Sequence, residues 1–179
     1  GEGGMVTTNN KEIADYVKQV RHHGQKNGLM TEMGYNWRMP QLSVILGRYQ
    51  LKRLDGFIER RNEIASKYSK SFEGIEEIEL IKVPNYITHG YWKYPILLKK
   101  YTAKEFQTIL KEKYNIDTGT VYYPPVHLQP YYKENYGYKE GDLPKSEKNL
   151  TREICLPIFV DITDKQLDYV IESVKTELS

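Results

Sequence analysis

Apolar positions recur at helical spacing through the first part of the chain. In "NNKEIADYVKQVRHHG" residues Ile13, Tyr16, Val17 and Val20 fall on one face, which predicts a helix with Asn9 and Glu12 at capping-box spacing and Gly24 as its stop. The preceding "GGMVTT" reads as a short strand, and residues 25 to 39 carry neither period and read as a loop. Pro40 suits the first turn of a helix and opens the longest helical pattern in the chain. Leu42, Ile45, Leu46 and Tyr49 share a face, then Leu51, Leu54 and Ile58, then Ile64, Ala65 and Tyr68. Such a helix is long enough to bridge two lobes, with a kink expected near Gly56 and a boundary near residue 72.

Past that point the pattern mixes strands and helices. "IEEIELIKV" and "GYWKYPILLKK" read as strands, the second rich in aromatic and branched residues. "TAKEFQTILKEKYN" reads as a helix opened by a Thr102 to Glu105 capping box, and "TDKQLDYVIESVKTELS" as one opened by Thr163 to Gln166, with Leu167, Val170, Ile171 and Val174 inward. Between them, "IDTGTVYYPPV" reads as a strand ending in a loop, and "LQPYYKENY" and "PKSEKNLTREIC" as short helices. The fold class is α/β, with the carboxy-terminal part a small α+β lobe: a mostly antiparallel sheet with helices on one face. The organisation expected is a segment 1–39, a bridging helix 40–72 and a lobe 73–179.

Composition narrows the functional classes. Of 179 residues, 39% are hydrophobic and 28% charged, and 26 basic residues nearly balance 24 acidic ones, the profile of a globular chain without a clustered basic face. No run approaches the roughly 18 apolar residues of a membrane span, and the start lacks a signal-peptide pattern, so neither a membrane nor a nucleic-acid partner is expected and the cytoplasm is the expected location. The single Cys155, within "EICLPIF", reads as a buried structural thiol. No G-x-S-x-G elbow suggests a hydrolase. The chain opens on Gly1 instead of Met, so it is expected to belong to a longer protein.

Three stretches carry candidate chemistry. "GEGG" matches neither the dinucleotide nor the Walker pattern and reads as a tight turn. His22 and His23 are adjacent while His89 and His127 are remote, so no metal site is expected. "GYNWRMP" places an amide, Asn36, and a forked cation, Arg38, beside a helix start, which suits an anion such as a phosphate. The alternative is that Tyr35 and Trp37 pack while Asn36 and Arg38 satisfy loop carbonyls. "TVYYPPVHLQPYY" holds four Tyr, three Pro and His127 in thirteen residues. It suits a rigid pocket wall against a base or sugar, or equally a Pro-rich crossover in which His127 caps the next helix.

Taken in order, "GEGGMVTTN", "RHHGQ", "GYNWRM", "LGRYQLKRLDGFIERRNEIASKY", "YYPPVHLQPYY", "GDLPKSEK" and "CLPIF" resemble the carboxy-terminal half of the DegT/DnrJ/EryC1/StrS family of pyridoxal-phosphate-dependent sugar aminotransferases. The resemblance covers essentially the whole chain. It implies a fold type I transferase in which 1–39 is the tail end of the large cofactor-binding domain. It implies a homodimer with shared active sites, moving an amino group, usually from glutamate, onto a nucleotide-linked keto sugar. By it, Asn36 and Arg38 approach the cofactor phosphate of the neighbouring subunit, and Tyr122, Tyr123 and His127 face the nucleotide-sugar. The Schiff-base Lys of the family lies a few residues before "GEGG", so no catalytic Lys is expected in this chain and the chain alone is expected to be inactive. The second reading is a non-catalytic dimerisation or sugar-nucleotide-binding module on the same fold.

Overall fold

The structure is a computed structural model that describes residues 2–178. It divides into two units, Gly1–Leu54 and Asp55–Ser179, each taken here by itself.

In the first unit, helix α1 (Lys11–Val20) is capped by Asn10, whose side-chain oxygen accepts the backbone N–H groups of Glu12 at 2.8 Å and Ile13 at 3.3 Å. The cap therefore lies one residue later than the spacing of Asn9 and Glu12 predicts. Asn9 is not the cap because Asn10 already satisfies the first free donors, which places Glu12 too early in the helix to close a box. The apolar face of α1 is formed as expected, yet Ile13 and Tyr16 remain exposed and no residue of the helix is buried. "GGMVTT" forms no strand, since no described segment pairs with it.

The stretch expected as a plain loop holds a small hairpin, β1 (Gln25–Lys26) and β2 (Leu29–Met30), with Gln25 opposite Met30. Asn27 and Gly28 turn it with φ of 52° and 79°. An Asn-Gly pair favours a two-residue hairpin turn because both residues tolerate positive φ, and this was the readable signal. Helix α2 (Gln41–Phe72) then runs as one helix through Gly56.

The second unit contains the carboxy-terminal part of α2, and Ile64, Ala65, Tyr68 and Phe72 are core residues there. Its sheet has the order β3 (Ile78–Leu80), β4 (Tyr94–Leu98), β5 (Glu153–Leu156), both pairings antiparallel, with Ile78 opposite Leu98 and Tyr94 opposite Leu156. Tyr94, Ile96, Leu98, Ile154 and Leu156 join the core with α2, with Phe106 and Leu110 of α3 (Ala103–Tyr114), and with Leu167, Ile171 and Val174 of α6 (Asp164–Leu178). Fully burying a side chain such as Phe106 contributes about 1.5–3 kcal/mol. Tyr68 also donates its hydroxyl to the Pro157 carbonyl at 2.8 Å. The Thr102 to Glu105 and Thr163 to Gln166 boxes both form.

Three expectations change in this unit. The strand in "GYWKYPILLKK" begins only at Tyr94, because Tyr91 has a φ of 39° and Trp92 stands in solvent. Helices α4 (Pro130–Tyr136) and α5 (Pro144–Arg152) form as read, but α5 stops at Arg152 and Glu153–Leu156 becomes β5, every residue of it buried. Pairing with β4 overrides the helical run-on there. "IDTGTVYYPPV" makes one bridge, Gly119 to Cys155, and no strand. Beyond Gly119 the Val121 N–H is taken by a side chain, Tyr122 turns at a φ of 53°, and Pro124 and Pro125 have no N–H to pair.

Candidate functional site

The loop after α1 folds back on the helix end through three backbone bonds. Tyr35 N–H donates to Val20 O at 2.8 Å, His23 N–H to Tyr35 O at 3.0 Å and Trp37 N–H to Arg21 O at 3.0 Å. This close return needs two glycines. A Cβ on Gly34 would lie 2.0 Å from the Gly24 nitrogen, and one on Gly24 would lie 1.8 Å from the Glu32 carbonyl oxygen. Along the extended stretch that follows, side chains alternate. Tyr35 and Trp37 stack with ring centroids 4.3 Å apart and planes within 9°, and Arg38 Nε donates to Asn36 Oδ1 at 2.9 Å.

The alternative in which Asn36 and Arg38 satisfy loop carbonyls is not what the side chains do. They bond each other, both are exposed, and among the described residues the terminal guanidinium nitrogens of Arg38 and Nδ2 of Asn36 have no further partner. A forked cation and an amide donor held side by side form a donor set suited to a phosphate.

The second candidate region lies in the other unit. Residues 119 to 143 run from the Gly119–Cys155 bridge beside β5, through a 3₁₀ turn at Val126–Leu128 and α4, to the start of α5. The exit is pinned by buried Glu153, which accepts Val121 N–H at 2.8 Å and the Cys155 thiol at 2.9 Å, and by Lys93, which donates to the Thr120 carbonyl. Burial pushes the Cys155 thiol up, aided by the bond to Glu153, which fits an inert structural thiol.

Tyr122, 70% exposed, and Tyr123, 48% exposed, present their rings to solvent, whereas His127 is only 6% exposed. The His127 ring meets Glu147 Oε1 through Nε2 at 3.0 Å and stands edge-on to Tyr138, with centroids 5.9 Å apart. It does not cap the next helix, whose N-cap is Gln129 without a side-chain bond. Tyr122 and His127 line the same cavity of about 410 Å³ with Val126, Tyr132, Tyr138 and Leu143, and Tyr123 does not line it.

Glu147 also accepts the N–H of Gly141 at 2.9 Å and of Leu143 at 3.0 Å. The Gly141 bond, then His127 and Leu143, holds its carboxyl below the usual carboxylate range. Sequence reading missed Glu147, Glu153 and Lys93, since a single acid in "PKSEKN" or base in "GYWKY" is indistinguishable from surface charge. Among the described residues no group of three or more His, Cys, Asp or Glu is placed to hold a metal ion, and no helix is long and apolar enough to cross a membrane.

The chain belongs to the DegT/DnrJ/EryC1/StrS aminotransferase family, whose family model matches residues 1–175. It is 36% identical to the uncharacterized protein MJ1066 of Methanocaldococcus jannaschii, over 100% of this chain and 50% of that one. It is 34% identical to the spore coat polysaccharide biosynthesis protein SpsC of Bacillus subtilis (98% and 49%) and 34% identical to the GDP-perosamine synthase of Escherichia coli O157:H7 (97% and 47%). In fold it is similar to DesV of S. venezuelae, solved with a ketimine intermediate, at a TM-score of 0.85 and 26% identity over 96% of this chain and 46% of that one. The chain spans about half the length of the curated relatives it matches.

Proposed function

We propose that this chain is the carboxy-terminal portion of a cytoplasmic pyridoxal-phosphate-dependent aminotransferase that moves an amino group, from glutamate, onto a nucleotide-linked keto sugar. The carrying observation is the exposed Asn36–Arg38 pair, bonded at 2.9 Å and braced by the stacked Tyr35 and Trp37. That pair binds the phosphate of pyridoxal phosphate in the neighbouring subunit of a homodimer, Arg38 as the charge and Asn36 as a neutral donor. Residues 1–39 are the end of the cofactor-binding domain, 40–72 the connecting helix and 73–179 the small lobe. Leu42, Ile45, Leu46 and Tyr49 on the exposed part of α2 support burial against the rest of the enzyme or its partner, since one helix seldom shows so many apolar side chains to water.

When bound, pyridoxal phosphate supplies an electron sink for the carbon that loses its proton. The Schiff-base lysine belongs to sequence outside this chain. The residues present here bind and orient: Asn36 and Arg38 fix the phosphate, while Tyr122 and Tyr123 flank the nucleotide-sugar from the loop that Glu153 and His127 anchor. The relatives named for GDP-perosamine and, at 34% identity, a UDP-linked altrosamine transaminase of Campylobacter jejuni support a nucleotide-sugar substrate. Pyridoxal phosphate affinity of the full-length protein tests the reading: Asn36→Ala weakens it by about ten-fold, the loss of one hydrogen bond to a charged group. Unchanged affinity overturns the clamp. Binding of a nucleotide-sugar without pyridoxal phosphate favours the non-catalytic module.

A further inference from the structure

Past the pins that Lys93 and Glu153 make at Thr120 and Val121, the excursion from residue 119 to 143 is gathered on one side chain. Glu147, on the first turn of α5, takes His127 Nε2 at 3.0 Å, Gly141 N–H at 2.9 and 3.1 Å through its two oxygens, and Leu143 N–H at 3.0 Å. His127 lies near the start of the excursion and Gly141 and Leu143 at its end, so one carboxylate ties both ends to a helix. Between the tie points stand Tyr131, Tyr132, Tyr136 and Tyr138. Tyr132 and Tyr138 wall the cavity of about 410 Å³ together with Tyr122 and His127. The other links within it include ring contacts, such as Tyr138 against His127 and Tyr132 against Tyr136, and short-range bonds, such as Gln129 Nε2 to the Pro124 carbonyl at 3.0 Å and Lys139 N–H to Asp142 Oδ2 at 2.9 Å.

We infer that Glu147 is a positioning residue for the nucleotide-sugar: its carboxylate sets the placement of His127 and of the 138–143 segment, and so the shape of the cavity wall that Tyr132 and Tyr138 form opposite the substrate. This rests on the proposed aminotransferase function. Glu147 does not touch substrate and is not catalytic. An amide cannot replace it. A Gln that keeps its oxygen toward His127 and Leu143 turns an NH₂ toward the Gly141 N–H, donor against donor.

The test compares full-length wild type, Glu147→Gln and Glu147→Asp. Three readouts are taken: KM for the nucleotide-linked keto sugar, KM for the amino donor, and hydrogen exchange of the Gly141 and Leu143 amides. With the charge-assisted bonds lost, the sugar KM rises about ten-fold in Glu147→Gln. The donor KM moves less than about two-fold and exchange quickens in 138–143 but not in β4. Asp restores part of the sugar KM because it keeps the charge.

Faster exchange with an unchanged sugar KM overturns the inference, as does an equal rise in both KM values, which marks a merely structural loss. Slow exchange at Gly141 and Leu143 in Glu147→Gln also overturns it. A wild-type protein that consumes amino donor but accepts no nucleotide-linked sugar overturns the substrate reading and this inference with it. Retained sugar transamination with an insensitive Glu147 overturns this inference alone.

Discussion

Replacing Gly34 by Ala displaces the loop that carries Asn36 and Arg38. The new Cβ would sit 2.0 Å from the Gly24 nitrogen, 2.5 Å from the His23 carbonyl carbon and 2.7 Å from the Gly24 Cα, all backbone atoms that cannot rotate away. One strand of the return must therefore move by more than 1 Å, roughly the gap between 2.0 Å and ordinary contact. The bonds from Tyr35 to Val20, His23 to Tyr35 and Trp37 to Arg21 span this return. At about 0.5–1.5 kcal/mol each, they total about 1.5–4.5 kcal/mol of local stability at risk. The stack of Tyr35 on Trp37 loosens with them, so near-ultraviolet circular dichroism reports the movement directly. In the full-length protein, a displaced Arg38 loses a charge-assisted bond of about 1.5–3 kcal/mol, a rise of about ten- to hundred-fold in the Kd for pyridoxal phosphate. A Gly34→Ala protein with an unaltered aromatic dichroism signal and unaltered Kd would refute the reasoning, since it would mean the return accommodates a methyl group without shifting.

Other expectations can be checked independently. Phe106→Ala, at a position fully closed to solvent, lowers unfolding stability by about 3–5 kcal/mol in urea titration, and a loss under 1 kcal/mol would place Phe106 outside the core. Cys155 resists a thiol reagent in the folded protein and reacts fully in denaturant, and fast native modification would contradict its burial against Glu153. Because the folded Glu147 carboxyl lies below its ordinary range, its contribution is present above the unfolded value of about 4.3 and is lost as pH falls through the folded value. The gap in urea midpoint between wild type and Glu147→Gln is thus expected to narrow from pH 6 to pH 3, and a gap that widens toward acid would reverse the sign of the argument.

The legible parts of the fold were those written in local periods. The capping boxes of α3 and α6 and the inward positions Leu167, Val170, Ile171 and Val174 followed from spacing alone. Elements decided by distant partners were not legible. β5 borrows its identity from β4, and the segment after Gly119 loses its strand because Glu153 takes the Val121 N–H, Tyr122 turns at a positive φ, and Pro124 and Pro125 have no donors. The hairpin of β1 and β2 is local too: Asn27 and Gly28 both tolerate the positive φ of its turn.

In the candidate site, sequence placed Asn36 beside Arg38 and Tyr35 beside Trp37, and alternation along an extended stretch accounts for the pairing seen. It also groups Tyr122, Tyr123 and His127, of which Tyr122 and His127 line one cavity and Tyr123 does not. What it lacked was Glu147, twenty residues on, whose importance comes from the donors that converge on it and not from its neighbours in sequence.

The claim that Asn36 and Arg38 serve the neighbouring subunit is tested most directly by mixed dimers of the full-length protein. One subunit carries Asn36→Ala and Arg38→Ala together, and the other lacks the Schiff-base lysine. Each homodimer is inactive on this account. In the mixed dimer one site combines the intact lysine of the first subunit with the intact loop of the second, so activity returns on mixing. If the loop instead serves its own subunit, both sites of the mixed dimer stay broken, and the absence of any recovered activity would contradict the account.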